Sequence, residues 1–121
     1  MSSYKDLEIY RLAYSLAIRI HRATLKLPQF ETYEQGGQIR RSSQSIRDSI
    51  AEGYGRRKYK VEYLRFLAFA QASCDEATNQ SEAINELYPA VKDFIEIRAD
   101  LEILGKMINN YIKYADSSWR T

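Results

Sequence analysis

Between Gln38 and Lys60 the chain reads QIRRSSQSIRDSIAEGYGRRKYK, and most of the chemistry this sequence can offer lies there. Arg40 and Arg47 are seven residues apart and share a helix face, with Arg41 one step around it. Arg56, Arg57, Lys58 and Lys60 follow in and after a Gly-Tyr-Gly break, and Tyr54, Tyr59 and Tyr63 are interleaved among them. Guanidinium and ammonium groups neutralise phosphates and release counterions, while aromatic faces stack on unpaired bases. The segment therefore suits sequence-tolerant binding of RNA or a single strand. The same residues allow a structural account. Glu52 stands four before Arg56, and Arg40 and Arg41 could tie down Glu76 or Glu52 in a satisfied polar network inside the fold.

The charge pattern favours a surface. From Gly36 to Arg65 eight Lys/Arg stand against three Asp/Glu, and from Phe66 onward five stand against nine, although the chain as a whole carries only +2. Such segregation draws a polyanion to one face, and a charge cluster at a helix end is its plainer explanation.

Other chemistry is thin. His21 is the only histidine, and no Glu-x-x-His pair on another helix completes a metal site around it. Cys74 is the only cysteine, so one chain can form neither an internal disulfide nor a cysteine-based zinc site, and a reducing compartment is the natural reading. It sits in an apolar helix face beside Asp75 and Glu76, which raise a thiol pKa. Gly53-Tyr54-Gly55 lacks the spacing and the preceding strand of a phosphate loop. The pairs Asp75/Glu76 and Glu82/Glu86 read as solvated helix surface. No enzyme class and no cofactor is expected.

The elements that must position the basic segment are helices. Ser3-x-x-Asp6 resembles a capping box, and Ile9, Ala13, Leu16, Ile20, Ala23 and Leu27 then form an apolar stripe that stops at Pro28. A second stripe, Tyr10, Tyr14, Ala17, His21 and Thr24, runs beside it; one core needs only one stripe, so the second asks for a partner and marks Tyr10, Tyr14, Ala17 and His21 as an oligomer interface. Gln29 to Gly37 reads as a loop, with Gly36 as N-cap or Thr32 one turn earlier. Ile39, Ser43, Ile46 and Ile50 line a second helix that Gly53 and Gly55 end by adopting a left-handed conformation. The third runs from near Lys60 to about Leu87 on Tyr63, Phe66, Ala70, Ser73, Ala77, Ile84 and Tyr88, flanked by Leu64, Leu67 and Cys74. The fourth uses Phe94, Ile97, Leu101, Leu104, Ile108, Tyr111 and Ala115, before a polar tail.

At 121 residues, with five Gly, two Pro and no sustained period-two pattern, the expectation is a single domain over 1–121, all-α, an antiparallel up-down four-helix bundle. The charged N-terminus lacks a signal-peptide core, and no run of about eighteen apolar residues is present, so a soluble cytoplasmic protein without a membrane partner is expected.

Several blocks resemble a known family. Tyr4-x-Asp6-Leu7-x-Ile9-Tyr10 is similar to its aromatic-x-Asp-Leu-x-aliphatic-aromatic opening, and Leu27-Pro28 follows. Gln38-Ile39-Arg40-Arg41-Ser42, Ser45-Ile46 and Ile50-Ala51-Glu52-Gly53 resemble its Gln-Ile-Arg-Arg-Ala, Ser-Ile and Asn-Ile-Ala-Glu-Gly blocks. Phe66-Leu67, Ala70, Ser73 and Glu76 match its third helix, and Gly105-Lys106-Met107 its fourth. This is the four-helix-bundle family named for open reading frames in intervening sequences of 23S rRNA genes, also labelled S23 ribosomal protein. Gly36-Gly37 stand in place of the usual Thr-Ser cap, Ser49 where Asn is common, and Ala72 in place of a Gly. The resemblance implies an up-down bundle assembling as a homopentamer, with relatives that act as nucleic-acid-binding accessory factors to a reverse transcriptase. A ribosomal role is not implied, because the label reflects gene location.

The expected function is therefore a non-enzymatic homo-oligomer that binds nucleic acid, RNA ahead of DNA, through a repeated surface of Arg40, Arg41, Arg47, Arg56, Arg57, Lys58 and Lys60. The alternative is a homo-oligomeric scaffold or accessory factor that docks a protein partner without touching nucleic acid.

Overall fold

The computed structural model describes residues 3–120; Met1, Ser2 and Thr121, the outermost positions of the expected 1–121 domain, lie outside the described residues. Five α-helices follow one 3-10 turn, Tyr4–Asp6: α1 (Glu8–Thr24), α2 (Gln29–Tyr33), α3 (Gln35–Gly55), α4 (Lys60–Leu87) and α5 (Asp93–Ser118). Four are long and α2 is a single short piece, so the described residues are all-α. The long helices pack in a cycle, α1 on α3, α3 on α4, α4 on α5 and α5 back on α1.

Periodicity carries most of this. Ile9, Ala13, Leu16, Ile20 and Ala23 of α1, Ile39, Ile46 and Ile50 of α3, and Phe94, Ile97, Leu101, Leu104 and Ile108 of α5 are all buried, in one hydrophobic cluster that draws on every long helix. On α4 the buried seam is Tyr63, Leu67, Ala70, Cys74, Ala77, Ser81 and Ile84, in strict steps of four and three. Phe66, Ser73 and Tyr88, expected on that seam, are only half-buried beside it. The seam is rotated because α4 touches both α3 and α5, and the rotation lets Leu67 and Cys74 fill the space between them.

The helix ends depart from expectation. Ser3 Oγ accepts the Lys5 N–H at 3.1 Å, which caps the 3-10 turn; α1 starts only after Leu7, whose side chain is buried and caps nothing. The expected Gln29–Gly37 loop is helical. Pro28 O accepts N–H groups from Glu31 and Thr32, starting α2. The Glu31 carboxylate is buried and accepts from Tyr88 Oη at 2.8 Å and Gln35 Nε2 at 2.9 Å, so a group costly to desolvate is satisfied from two elements. Gly36 is not a cap: it lies within α3, where a Cβ would stand 3.0 Å from Glu31 O and 3.2 Å from Thr24 Cβ.

Nor does α3 end on a left-handed glycine, for no described glycine has positive φ. The chain leaves the helix when Arg56 N–H turns back to Gly53 O at 2.9 Å. Gly53 serves close packing instead: a Cβ there would stand 2.8 Å from Phe66 Cβ on α4, whereas one at Gly55 would meet nothing within 4 Å. Gly53→Ala is expected to destabilise by about 1–3 kcal/mol through overpacking, and Gly55→Ala to stabilise by up to about 1 kcal/mol by restricting the unfolded chain. Urea unfolding of the two variants checks both signs.

Candidate nucleic-acid interface

The arginines of α3 divide between its two flanks. Arg40 reaches toward α1 and donates from Nη1 to Thr24 Oγ1 at 2.8 Å, half-buried in space left by Gly36 and Gly37, which carry no side chain. Arg47, on the same side two turns later, lies 5.8 Å from the Tyr14 ring and pairs through Nε with Asp48 Oδ1 at 3.2 Å. Arg41 takes the opposite flank. It lines an open groove of about 530 Å³ between α3 and α4 with Gln38, Ser42, Ser45, Glu76 and Gln80. Ser42 Oγ donates to Gln80 Oε1 at 2.6 Å, and Ser45 and Ser73 hydroxyls meet at 2.9 Å, so short polar contacts hold the groove floor. Neither Arg40 nor Arg41 forms an ion pair with Glu52 or Glu76 among the described residues, so the internal network considered from the sequence is not built.

The second cluster is the turn from Arg56 to Tyr59. Arg56 lies over the Phe66 ring at 4.8 Å and reaches Glu62, not Glu52, at 3.7 Å. Arg57 stacks over the Tyr54 ring at 4.0 Å and donates to Tyr54 O at 2.8 Å, so its guanidinium braces the end of α3. Lys58 is exposed, close to the Tyr59 ring, and Tyr59 itself is 63% exposed. Lys60 donates to Asp116 O near the end of α5. Within the turn Arg56 and Lys58 are exposed, while Arg57 and Lys60 are engaged in holding it.

What holds the turn was missed in the sequence. Trp119, read there as part of a polar tail, donates from Nε1 to Arg57 O at 2.9 Å and packs edge-on against Tyr63 with ring centroids 5.2 Å apart. Tyr63 Oη meets Tyr111 Oη at 2.6 Å, and burial raises the pKa of both phenols, keeping the pair protonated at neutral pH. The only available signal was a lone tryptophan near the end of an amphipathic helix. Burial, with the Asp75 charge behind it, likewise pushes the Cys74 thiol up to about 12, and its Sγ donates to Leu101 O, so it is no nucleophile at neutral pH.

The second stripe of α1 is split. Tyr14 is 48% exposed and His21 is open, but Tyr10 is half-buried and Ala17 is buried within the subunit, as is Thr24. Ala17 is thus covered within the subunit and withdrawn from the expected outer stripe. Around the exposed part stand Lys5 and Arg11, which sequence reasoning did not single out.

A family model described as 23S rRNA-intervening sequence protein matches residues 5–110. The chain belongs to that family. Among curated proteins the comparison finds no match. The region matched as a 23S rRNA-intervening sequence protein contains all seven cations named above, together with the α3–α4 packing that displays them. Tyr111 and Trp119, which brace the basic turn, lie beyond it.

Trp119→Ala should therefore leave the bundle folded but cost about 2 kcal/mol from lost packing. Trypsin cleavage at Arg56, Arg57 and Lys58 should accelerate several-fold relative to cleavage elsewhere, which limited proteolysis followed by mass spectrometry reads directly.

Proposed function

We propose that this member of the 23S rRNA-intervening sequence protein family is a non-enzymatic, cytoplasmic homo-oligomer that binds RNA through its α3–α4 turn. The observation that carries the reading is the exposure of Arg56 and Lys58 beside an open Tyr59, on a turn braced from within by Arg57, Lys60 and Trp119. A braced cationic turn loses little conformational entropy on binding, and an exposed ring beside it offers a stacking surface. Repetition in an oligomer multiplies a modest contact by effective concentration. In this reading the long helices run up-down and antiparallel, supported by the Lys26–Asp93 pair joining the end of α1 to the start of α5 and by Lys60 reaching the end of α5.

Self-association is assigned to α5 instead of the interrupted α1 stripe. Ile95, Ile103 and Tyr114 share one side of α5 and are 55%, 52% and 50% exposed, with exposed Ala99 between them. Such a row on one helix is costly to leave in water and suits a second copy of the chain. Five subunits is the number that the family resemblance implies. No helix among the described residues is long and apolar enough to cross a membrane.

A second reading, a scaffold for a polypeptide partner, draws on Leu25, Phe30, Tyr33 and Leu87, apolar side chains exposed near the α1–α2 and α4–α5 connections. Charge reversal at the basic turn separates the two readings, since a scaffold keeps its partner.

Filter binding to structured RNA over a salt series is expected to give an affinity that falls steeply with salt. Arg56→Glu with Lys58→Glu should weaken it at least tenfold and flatten the salt slope by about 1–2. No binding at low salt, or indifference to salt, overturns the reading. Native mass spectrometry should find an assembly of the 14.1 kDa chain that Ile103→Glu breaks into smaller species.

A further inference from the structure

A cleft on α1, separate from the basic turn, brings aromatic and cationic groups together at an open surface. Tyr4 and Tyr10 meet edge to face with centroids 4.8 Å apart, and Tyr10 and Tyr14 lie 6.1 Å apart with planes tilted by 35°. Lys5, Tyr10, Arg11 and Tyr14 line a cavity of about 370 Å³, ample for one nucleobase, and Arg47 of α3 stands over the Tyr14 ring. Tyr14 itself is about half exposed. Arg11 is preset: its Nε donates to Lys5 O at 3.1 Å and its Nη2 to Asp6 O at 2.6 Å, which fixes the guanidinium at the cleft rim with Nη1 left over. Asp48 takes one N–H of Arg47, and the remaining donors of that fork stay available.

We infer that this cleft holds an unpaired base of single-stranded RNA, stacked on Tyr14, with Lys5, Arg11 and Arg47 on the flanking phosphates. The inference rests on the RNA-binding reading above and adds a second contact to it. Three cations around a tyrosine group complement a polyanion: the phosphates meet Lys5, Arg11 and Arg47 while the rings meet a base. The turn supplies charge and the cleft supplies preference for unpaired bases, because a base in a duplex has no free face to stack.

The two contacts differ in their response to salt. Stacking releases no counterions, so Tyr14→Ala should weaken binding of a labelled, unstructured oligouridylate roughly tenfold with an unchanged salt slope, and leave duplex RNA binding unaltered. Tyr14→Phe keeps the ring and should bind like the parent, while Lys5→Glu should reduce the slope. Tyr14 is half exposed, so circular dichroism melting of Tyr14→Ala is expected to match the parent, and native mass to be unchanged. If the parent binds RNA and Tyr14→Ala binds oligouridylate equally well, the cleft is overturned and the basic turn stands. If Tyr14→Ala lowers the native mass, the cleft is a subunit interface and the inference fails. If the parent binds neither oligouridylate nor duplex at low salt, the RNA-binding reading falls and takes the cleft with it.

Discussion

The close approach of α3 to both α1 and α4 decides where every cation on that helix goes. Gly36 beside α1, and Ser42, Ser45 and Gly53 beside α4, leave no room for long side chains between the axes. Ile39, Ile46 and Ile50 fill what remains of the seam. Arg40, Arg41 and Arg47 must therefore emerge along the two flanks, where their guanidinium groups reach hydroxyls, a ring and water. A bulkier α3 would hold its neighbours further apart, and arginines in the wider gap would need carboxylate partners to offset desolvation.

The same economy governs the ends. Glu31 is a buried carboxylate, and it is tolerated because Tyr88 and Gln35 both donate to it, which also ties α2 to the start of α3 and the end of α4. At the opposite end Tyr63, Tyr111 and Trp119 build a small aromatic cluster whose polar atoms are spent on one another and on the Arg57 carbonyl. The basic turn thus rests on a braced base. Its cations differ in kind: Arg57 and Lys60 hold backbone carbonyls, whereas Arg56 and Lys58 are exposed, Arg56 over the Phe66 ring and beside Glu62.

Four long helices were legible because each keeps its core-facing residues in steps of three and four for about three turns or more, a signal that a local exception such as Ser43 does not erase. The α3 arginines were legible as a group but not as to direction. Two flanks of one helix look alike in a linear pattern, and only the placement of α1 and α4 distinguishes them. The α2 helix was hidden by composition: Gln29–Tyr33 has no apolar period, and it is held by Glu31, Thr32 and Pro28 through contacts to other elements. Trp119 was hidden by position, since a polar run after the last apolar residue reads as a tail.

The four long helices, most of their apolar faces, the family and the segregation of basic from acidic residues follow from the order of amino acids alone, because they depend on period and local composition. Which arginine pairs with a hydroxyl, which covers a ring and which stays in water depends on the separation of helix axes. So does the burial of Ala17, which takes the middle out of an otherwise continuous outer stripe on α1. Those separations are set by small residues on elements far apart in the chain, and a side chain of no size leaves no mark in a hydrophobic pattern.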